Sequence, residues 1–239
     1  MLGINYSMPR KSQPELRRKY ADDDYIEIGI DEAGRGPMFG RVYAAAVVLP
    51  QNDSFKHCDM KDSKRFHSEK KINAIADYIK ANAVAWSVAY STEAEIDEHN
   101  IRKATHMAMH KAIKTVIDDL DRSTNDIHLI VDGNDFTQYT VFDGECIIPV
   151  RYTTVEKADN LLTNVAAASI LAKVERDTYI TELCKLQPEL DTKYGLLKNK
   201  GYGTKQHMDG ILEHGTSKYH RHTFGICKNY AQDHIDNLI

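Results

Sequence analysis

The sequence lacks the closely spaced cysteines of a disulfide-bonded or zinc-binding domain. It has four cysteines in 239 residues, and no two of them form a Cys-x-x-Cys pair. Isolated cysteines of this kind are typical of proteins in reducing compartments, where thiols stay free. We therefore expect buried free thiols at Cys58, Cys146, Cys184 and Cys227.

Long apolar runs and long linkers are absent as well. No stretch has the length of a transmembrane helix or the pattern of a secretory signal, so we expect no membrane partner. An intracellular, cytoplasmic location is predicted, with nuclear and organellar locations left open. Residues 23–239 are expected to form a single domain with a C-terminal helical region, preceded by a basic, flexible arm at residues 1–22.

The most informative stretch that is present is DEAGRGP, at residues 31–37. It follows an alternating run at residues 25–30 that predicts a β-strand, and residues 42–49 predict a second strand. Side chains alternate along a strand, so Asp31 and Glu32 should point apart. Both can reach one cation only if the strand ends there, which the following glycines and proline permit.

This stretch has two alternative interpretations. Gly29 and Gly34 have the spacing of a phosphate-binding P-loop, but Arg35 and Gly36 stand where a P-loop has Lys and then Ser or Thr. Acids inside such a loop would also repel a triphosphate, which argues against an NTPase. An ordinary strand end with two solvated acids stays open on this motif alone.

Two further acids follow the same pattern. Asp132 follows an apolar run at residues 128–131, at the carboxyl end of a predicted strand, where open α/β sheets gather ligands. Asp159 precedes a long helical stretch rich in small apolar residues. It is either a cap of that helix or a ligand at its N-terminal end.

Four acids in a small volume would repel one another and raise each other's pKa unless cations neutralise them. Carboxylate oxygens suit Mg²⁺ or Mn²⁺, and a pair of such ions is the usual device for in-line phosphodiester displacement. Phosphodiester hydrolysis is therefore the predicted reaction.

Five blocks of sequence resemble the ribonuclease HII (type 2 ribonuclease H) family. They occur in the family's order over most of the chain, and the first and fourth are long and specific. The blocks are GIDEAGRGP at 29–37, DSK at 62–64, VDGN at 131–134, AAASILAKV at 166–174 with Arg176 and Asp177, and KGYGT at 200–204 with His207.

The resemblance implies a ribonuclease H-like α/β fold, in which helices flank a mixed five-stranded sheet and a C-terminal helical segment follows. It implies an endonuclease that cuts RNA in RNA–DNA hybrids, including 5′ to single ribonucleotides embedded in duplex DNA. Two divalent cations, Mg²⁺ or Mn²⁺, are the implied cofactors. The catalytic residues and metal ligands would be Asp31, Glu32, Asp132 and Asp159.

The resemblance also implies substrate contacts. Gly34, Arg35 and Gly36 would recognise the ribose 2′-hydroxyl through backbone groups, and glycine permits the close approach that this needs. Tyr202 would pack at the ribonucleotide–deoxyribonucleotide junction, since an aromatic ring stacks without regard to sequence. Phosphate contacts would come from Ser63 and Lys64.

The sequence departs from the family pattern at two places. Arg41 stands where many relatives have proline, and the loop from Asp191 to Lys200 is expected to be slightly long before Tyr202. A non-catalytic nucleic-acid-binding module and another nuclease of the same fold stay open as alternative functions.

The net charge of −4 is unusual for a protein that binds nucleic acid, because such proteins commonly present basic surfaces. The basic residues are clustered, however, and each cluster is either a phosphate-binding surface or a solvated face. We expect phosphate contacts mainly from Arg35, Lys64 and Lys200, with marked salt dependence. The two clusters are Lys61, Lys64, Arg65, Lys70 and Lys71, and Lys198, Lys200 and Lys205.

Periodicity predicts a helix at residues 68–81, a strand at 84–90 and a helical region at 92–120, with capping-box spacing at its start. His106 and His110 lie four apart in this region and are interpreted as a helix face, because no third metal ligand accompanies them. His220 and His222 are interpreted as substrate-side or structural residues.

The last residues have the spacing of a sliding-clamp-binding peptide, although such peptides usually end in two aromatic positions. The competing interpretation is a short amphipathic helix that packs on the domain. We expect a weak clamp contact and a monomeric protein. The residues concerned are Gln232, Ile235, Leu238 and Ile239.

Overall fold

The computed structural model describes residues 15–66 and 68–230. Its main strands are β1 (Ile26–Ala33), β2 (Val42–Val48), β3 (Ala85–Ser91), β4 (Ile127–Asp132) and β7 (Arg151–Val155), and a two-stranded ribbon is formed by β5 (Thr140–Phe142) and β6 (Ile147–Pro149). The main sheet has the order β3-β2-β1-β4-β7. Strands β1, β2 and β3 pair antiparallel, whereas β1, β4 and β7 pair parallel. This mixed five-stranded sheet confirms the expected α/β fold.

The helices of the described residues are α1 (Glu69–Asn82), α2 (Glu93–Leu120), α3 (Thr163–Leu186), α4 (Pro188–Tyr194), α5 (Leu196–Asn199) and α6 (Lys205–His214). Helix α2 begins at the predicted capping box. The Thr92 side chain accepts a hydrogen bond from the Glu95 backbone at 3.2 Å, and the Glu95 carboxylate accepts one from the Thr92 backbone at 2.7 Å. The expectation of a loop over residues 191–200 is wrong, because α4 and α5 occupy most of it.

The two faces of the sheet are covered by different helices. Ile28 and Ile30 of β1 belong to the core cluster that α2 completes with Ala112 and Ile113. The opposite face packs against α1 and α3. Gly29 is needed there, since a Cβ atom at this position would overlap the α3 backbone. This close approach places α3 directly beside the carboxyl ends of β1 and β4.

Residues 15–22, which were expected to belong to a flexible arm, pack on the domain instead. The Arg17 backbone donates to the Leu161 carbonyl at 2.9 Å, and its own carbonyl accepts from Thr163 at 3.0 Å. The buried Glu27 carboxylate accepts hydrogen bonds from the Tyr20 and Ala21 backbones. The rest of the arm, residues 1–14, lies outside the described residues.

The expectation of four buried thiols is half wrong. Cys184 and Cys227 are buried, and burial raises the pKa of each thiol to about 11. Cys58 and Cys146 are exposed, because they lie in a surface turn and at the tip of the β5–β6 ribbon. None of the helices within residues 15–66 and 68–230 has the length and apolarity to cross a membrane.

Candidate active site

Asp31 and Asp132 stand side by side at the carboxyl ends of two parallel strands. The register pairs Ile30 of β1 with Val131 of β4, so the next residue on each strand is an aspartate at the same level. Asp31 is 5% exposed, and its Oδ1 accepts a hydrogen bond from the Glu32 backbone at 2.7 Å. Asp132 Oδ1 accepts one from the Ala158 backbone at 2.6 Å. The sheet therefore sets the backbone level of both aspartates, and the turn after β7 holds the Asp132 carboxylate.

Glu32 reaches the same cavity without the strand end that the sequence suggested. That expectation is wrong, because β1 continues to Ala33 while paired with β2. Its pairing with β4 stops at Ile30, however, which leaves this side of the strand open. The half-buried Glu32 carboxylate lies 3.5 Å from the Arg35 guanidinium.

Asp159 joins the group from a separate turn. It lies in the 3-10 turn Ala158–Asn160 and is 5% exposed. Its Oδ1 accepts a hydrogen bond from the Asn160 side chain at 2.9 Å. Helix α3 starts only at Thr163, with Leu162 at its N-cap, so the capping alternative for Asp159 is wrong.

The four carboxylates influence one another's charge. Burial raises the pKa of Asp31 well above its ordinary value, and repulsion from Glu32 and Asp132 raises it further. Burial and then the Asp132 charge raise the pKa of Asp159. Burial is also the main reason that the pKa values of Glu32 and Asp132 are raised. The cluster carries more negative charge than its surroundings compensate.

Within the described part of the chain, no three His, Cys, Asp or Glu side chains already stand in the arrangement of a metal-ligand group. The donor set nevertheless fits a divalent cation. All four groups are carboxylates, three of them line one cavity of about 310 Å³, and their pKa values are raised in part by mutual repulsion that a cation would relieve.

Ser63 and Lys64 flank the acids from the turn before α1. Ser63 is buried, and its hydroxyl shares a hydrogen bond of 3.0 Å with that of Ser169, which in turn bonds to Asp31. Lys64 is exposed, and although burial lowers its pKa, the carboxylates of Asp62 and the acidic cluster raise it overall. Lys64 thus lowers the pKa values of Glu32, Asp132 and Asp159 through its charge, whereas Ser63 acts as a support.

Residues 34–41, which we call the glycine–arginine loop, lie at the edge of the same cavity. Gly34 has φ +95°, a value that favours glycine, and a Cβ atom there would overlap Nε and Cδ of Arg176. Arg35 and Gly36 are exposed. The loop therefore presents backbone and a cationic side chain to solvent beside the acids.

Arg221 holds the glycine–arginine loop from below. Its side chain is fully buried, and its guanidinium donates to five backbone carbonyls within the loop. The distances are 2.7 Å to Gly34, 3.1 Å to Arg35, 2.7 Å to Pro37, 2.7 Å to Gly40 and 3.1 Å to Arg41. No local signal in the sequence indicates that Arg221 would meet a loop 180 residues away.

Tyr202 lies across the cavity from the acids, in residues 199–204, which we call the tyrosine loop. The ring is 51% exposed, and a Cβ atom on Gly36 would lie 3.5 Å from it. The two loops are joined by a hydrogen bond of 2.9 Å from the Met38 backbone to the Gly201 carbonyl. Lys200 lines the cavity, but its ammonium bonds to Thr181 at 3.2 Å and lies 3.7 Å from Glu69.

The histidines have structural positions. His220 is buried, with its Nε2 3.1 Å from that of His207 beneath the tyrosine loop. The His222 backbone donates to Asp97. His106 and His110 contact Thr137 in the segment after β4, so they form a helix face as predicted. The clamp-like residues Gln232, Ile235, Leu238 and Ile239 lie outside the described residues.

Comparison with known sequences finds one family along most of the chain. The family model described as Ribonuclease HII matches residues 28–227. Ribonuclease HII of Bacteroides thetaiotaomicron is 44% identical over 207 residues, which cover 87% of this chain and 93% of that protein. Ribonuclease HII of Parabacteroides distasonis is 43% identical over 207 residues, with 87% and 94% covered.

Solved structures share the fold at lower identity. The crystal structure of ribonuclease H2 from Pyrococcus horikoshii OT3 has a TM-score of 0.66 at 21% identity, over 87% of this chain and 97% of that one. The PCNA:RNase HII complex from Archaeoglobus fulgidus has a TM-score of 0.60 at 22% identity, over 84% and 96%. Bst-RNase HIII in complex with Mn²⁺ has a TM-score of 0.62 at 20% identity, over 87% and 69%.

Proposed function

The chain belongs to the ribonuclease HII family, and we propose that it hydrolyses RNA in RNA–DNA hybrids, including the bond 5′ to a single ribonucleotide embedded in duplex DNA. Family membership makes it a ribonuclease H, an endonuclease acting on phosphodiester bonds. The substrate preference and the use of two metal ions are the parts that we propose.

One observation carries the proposal. Three acids, Gly34 of the glycine–arginine loop and Tyr202 line a single cavity of about 310 Å³. Bond-breaking groups and groups able to recognise a ribonucleotide are therefore adjacent. Neither a binding module nor a general nuclease requires this combination.

We propose that Asp31, Glu32, Asp132 and Asp159 bind two Mg²⁺ or Mn²⁺ ions. Bound there, the ions would neutralise the clustered charge and activate water for attack on phosphorus. The Mn²⁺ complex of Bst-RNase HIII supports this choice of cation. The buried hydrogen bond between Ser63 and Ser169 keeps Asp31 in place beside Asp132.

The remaining residues select and hold the substrate in this proposal. Backbone groups of Gly34 and Gly36 approach the ribose 2′-hydroxyl, which alone separates RNA from DNA at a nucleotide. The exposed side chains of Arg35 and Lys64 neutralise backbone phosphates. The exposed ring of Tyr202 packs on the sugar or base that follows. Lys200 contributes charge rather than a direct contact unless its bond to Thr181 breaks.

The deciding experiment offers the protein a DNA duplex with one ribonucleotide, a continuous RNA–DNA hybrid and an all-DNA duplex. We expect a cut 5′ to the ribonucleotide that needs Mg²⁺ or Mn²⁺ and stops with chelator. Cutting of all three duplexes at equal rates would favour a general nuclease. Binding without cutting, with either metal, would favour a non-catalytic module.

The sliding-clamp contact stays a prediction, because residues 232–239 are not described. The name of the Archaeoglobus fulgidus structure, which records a complex with PCNA, is the observation that favours testing it. Deleting residues 232–239 should abolish co-precipitation with a sliding clamp from the same cell. Unchanged co-precipitation would exclude this segment as the contact. The monomeric state also stays a prediction.

A further inference from the structure

Arg176 is a charged residue buried between the two loops of the active site. It lies on α3 and is 2% exposed. Burial lowers the pKa of its guanidinium, so the fold places a positive charge where water cannot solvate it. Burying this charge is energetically unfavourable, which raises the question of which contacts of Arg176 serve the active site.

The contacts of Arg176 divide between the two loops. Its Nη2 donates to the Lys200 carbonyl at 2.8 Å and to the Phe39 carbonyl at 3.3 Å. Its guanidinium carbon lies 5.9 Å from the centre of the Tyr202 ring. Nε and Cδ fill the space where Gly34 has no side chain. One planar group thus touches the glycine–arginine loop and the tyrosine loop at the same time.

Arg176 is not paired as a purely structural arginine would be. Within residues 15–66 and 68–230, its buried Nε has no hydrogen-bond partner, and the nearest carboxylate oxygen, on Asp177, lies 3.9 Å from Nη1. Buried polar groups are generally satisfied, and exceptions concentrate where geometry serves function. The side chain also lines the cavity that holds the acids.

Arg221 provides the contrast. It is as deeply buried as Arg176, but its five hydrogen bonds all go to the glycine–arginine loop and none to the tyrosine loop. Arg221 therefore fixes the shape of one loop. Arg176, by contrast, donates to the Lys200 carbonyl of the tyrosine loop as well as to the Phe39 carbonyl of the glycine–arginine loop.

We propose that Arg176 is a positioning residue that sets the gap between Gly34 and Tyr202, and so determines the preference for a ribonucleotide followed by DNA. The inference rests on the proposed function, since it takes this gap as the place where the junction binds. In this proposal the ribonucleotide contacts the Gly34 side of the gap, and the Tyr202 ring packs on the nucleotide that follows. The two sides of the gap must therefore lie at a fixed distance. The planar guanidinium, whose Nη2 bonds to a carbonyl of each loop, fixes that distance, whereas a lysine ammonium cannot keep the same planar geometry.

The first test is independent of activity. Amide hydrogen exchange is measured on Arg176→Lys and on Arg221→Lys as the matched control. We expect Arg176→Lys to speed exchange in both residues 34–41 and residues 199–204, and Arg221→Lys to speed it mainly in residues 34–41. Unchanged exchange in the tyrosine loop of Arg176→Lys would overturn the proposal. Should Arg176→Lys fail to fold, Arg176→Gln, which keeps an N–H donor, replaces it.

The second test measures kcat and KM on the single-ribonucleotide duplex and on the continuous hybrid. Because small displacements of positioning groups have large effects on rate, Arg176→Lys should lower kcat/KM on the single-ribonucleotide duplex about tenfold more than on the hybrid. In a Tyr202→Ala background, the same substitution should leave the ratio of the two substrates unchanged, because the partner it positions is gone.

The outcomes distinguish the positioning role of Arg176 from the proposed function of the protein. Equal losses on both substrates, or an Arg176→Lys effect that persists in the Tyr202→Ala background, would overturn the positioning role. If the wild-type protein does not distinguish ribonucleotide-containing duplexes from DNA, the proposed function fails. In that case the exchange measurement still decides whether Arg176 couples the loops.

Discussion

Gly34→Ala is the substitution whose cost follows most directly from the structure. Gly34 has φ +95°, and an added Cβ atom would overlap Arg176 and lie 3.1 Å from the Arg41 carbonyl oxygen. Left-handed backbone costs a residue with a Cβ about 1–2 kcal/mol. Overpacking of a filled site adds about 1–3 kcal/mol. We therefore expect a loss of about 2–5 kcal/mol in the free energy of unfolding.

Gly144→Ala is the matched control. Gly144 has φ +105° but nothing within 4 Å of an added Cβ atom, so it carries the same backbone strain without the overlap. Its expected cost is about 1–2 kcal/mol. Urea unfolding followed by circular dichroism, with equal m-values for the compared proteins, measures both.

The difference between the two alanine variants isolates the contact with Arg176. In an Arg176→Ala background the overlap is removed, so Gly34→Ala should cost less there than in the wild-type protein. Equal costs for Gly34→Ala and Gly144→Ala, or no coupling to Arg176, would refute the close packing. Activity on the single-ribonucleotide duplex should fall about 100-fold for Gly34→Ala, since the recognising backbone is displaced.

Three further predictions concern the acids, the ring and a buried histidine. Asp31→Asn should abolish metal-dependent cutting while the circular dichroism spectrum stays the same, and full activity would overturn the ligand assignment. Tyr202→Ala should slow cutting of the single-ribonucleotide duplex more than that of the continuous hybrid, and equal loss on both would count against a junction role. Burial lowers the pKa of His128, so the unfolded chain takes up its proton first, and stability is lost as pH falls below about 6.5. His128→Gln should therefore reduce the drop in unfolding free energy between pH 7 and pH 5, and an unchanged drop would contradict the buried neutral state.

The acids of the site were predictable because their signals are local. Each follows an apolar run or precedes a helix, and parallel strands bring their carboxyl ends together. Alternation along β1 predicted that Asp31 and Glu32 point apart, but it could not show that pairing with β4 stops at Ile30, and both residues line one cavity. That gap, rather than the end of β1, lets Glu32 reach the cavity. Strand pairing is a tertiary property, and no local pattern encodes where it ends.

The two arginines that hold the loops of the site were not predictable, because their contacts are tertiary. Arg176 stood out in the sequence only as a member of a family block, and Arg221 was assigned no role, yet both are buried by the packing of distant segments. Cys58 and Cys146 show the reverse, since isolated cysteines predicted burial and surface turns expose them. Burial of a single residue depends on which segments meet, which the sequence does not reveal locally.

The acids of the site and the other groups of the site lie on different kinds of backbone. The central strands hold the backbones of Asp31 and Asp132 within hydrogen-bonded ladders. The groups that we propose to select the substrate lie on loops, where two buried arginines donate hydrogen bonds to backbone carbonyls. Burial lowers the pKa of Arg221, and repulsion from the charge of Arg176 lowers it further, to about 9. Under the proposed function, substitutions beneath the loops should therefore alter which bond is cut before they abolish cutting.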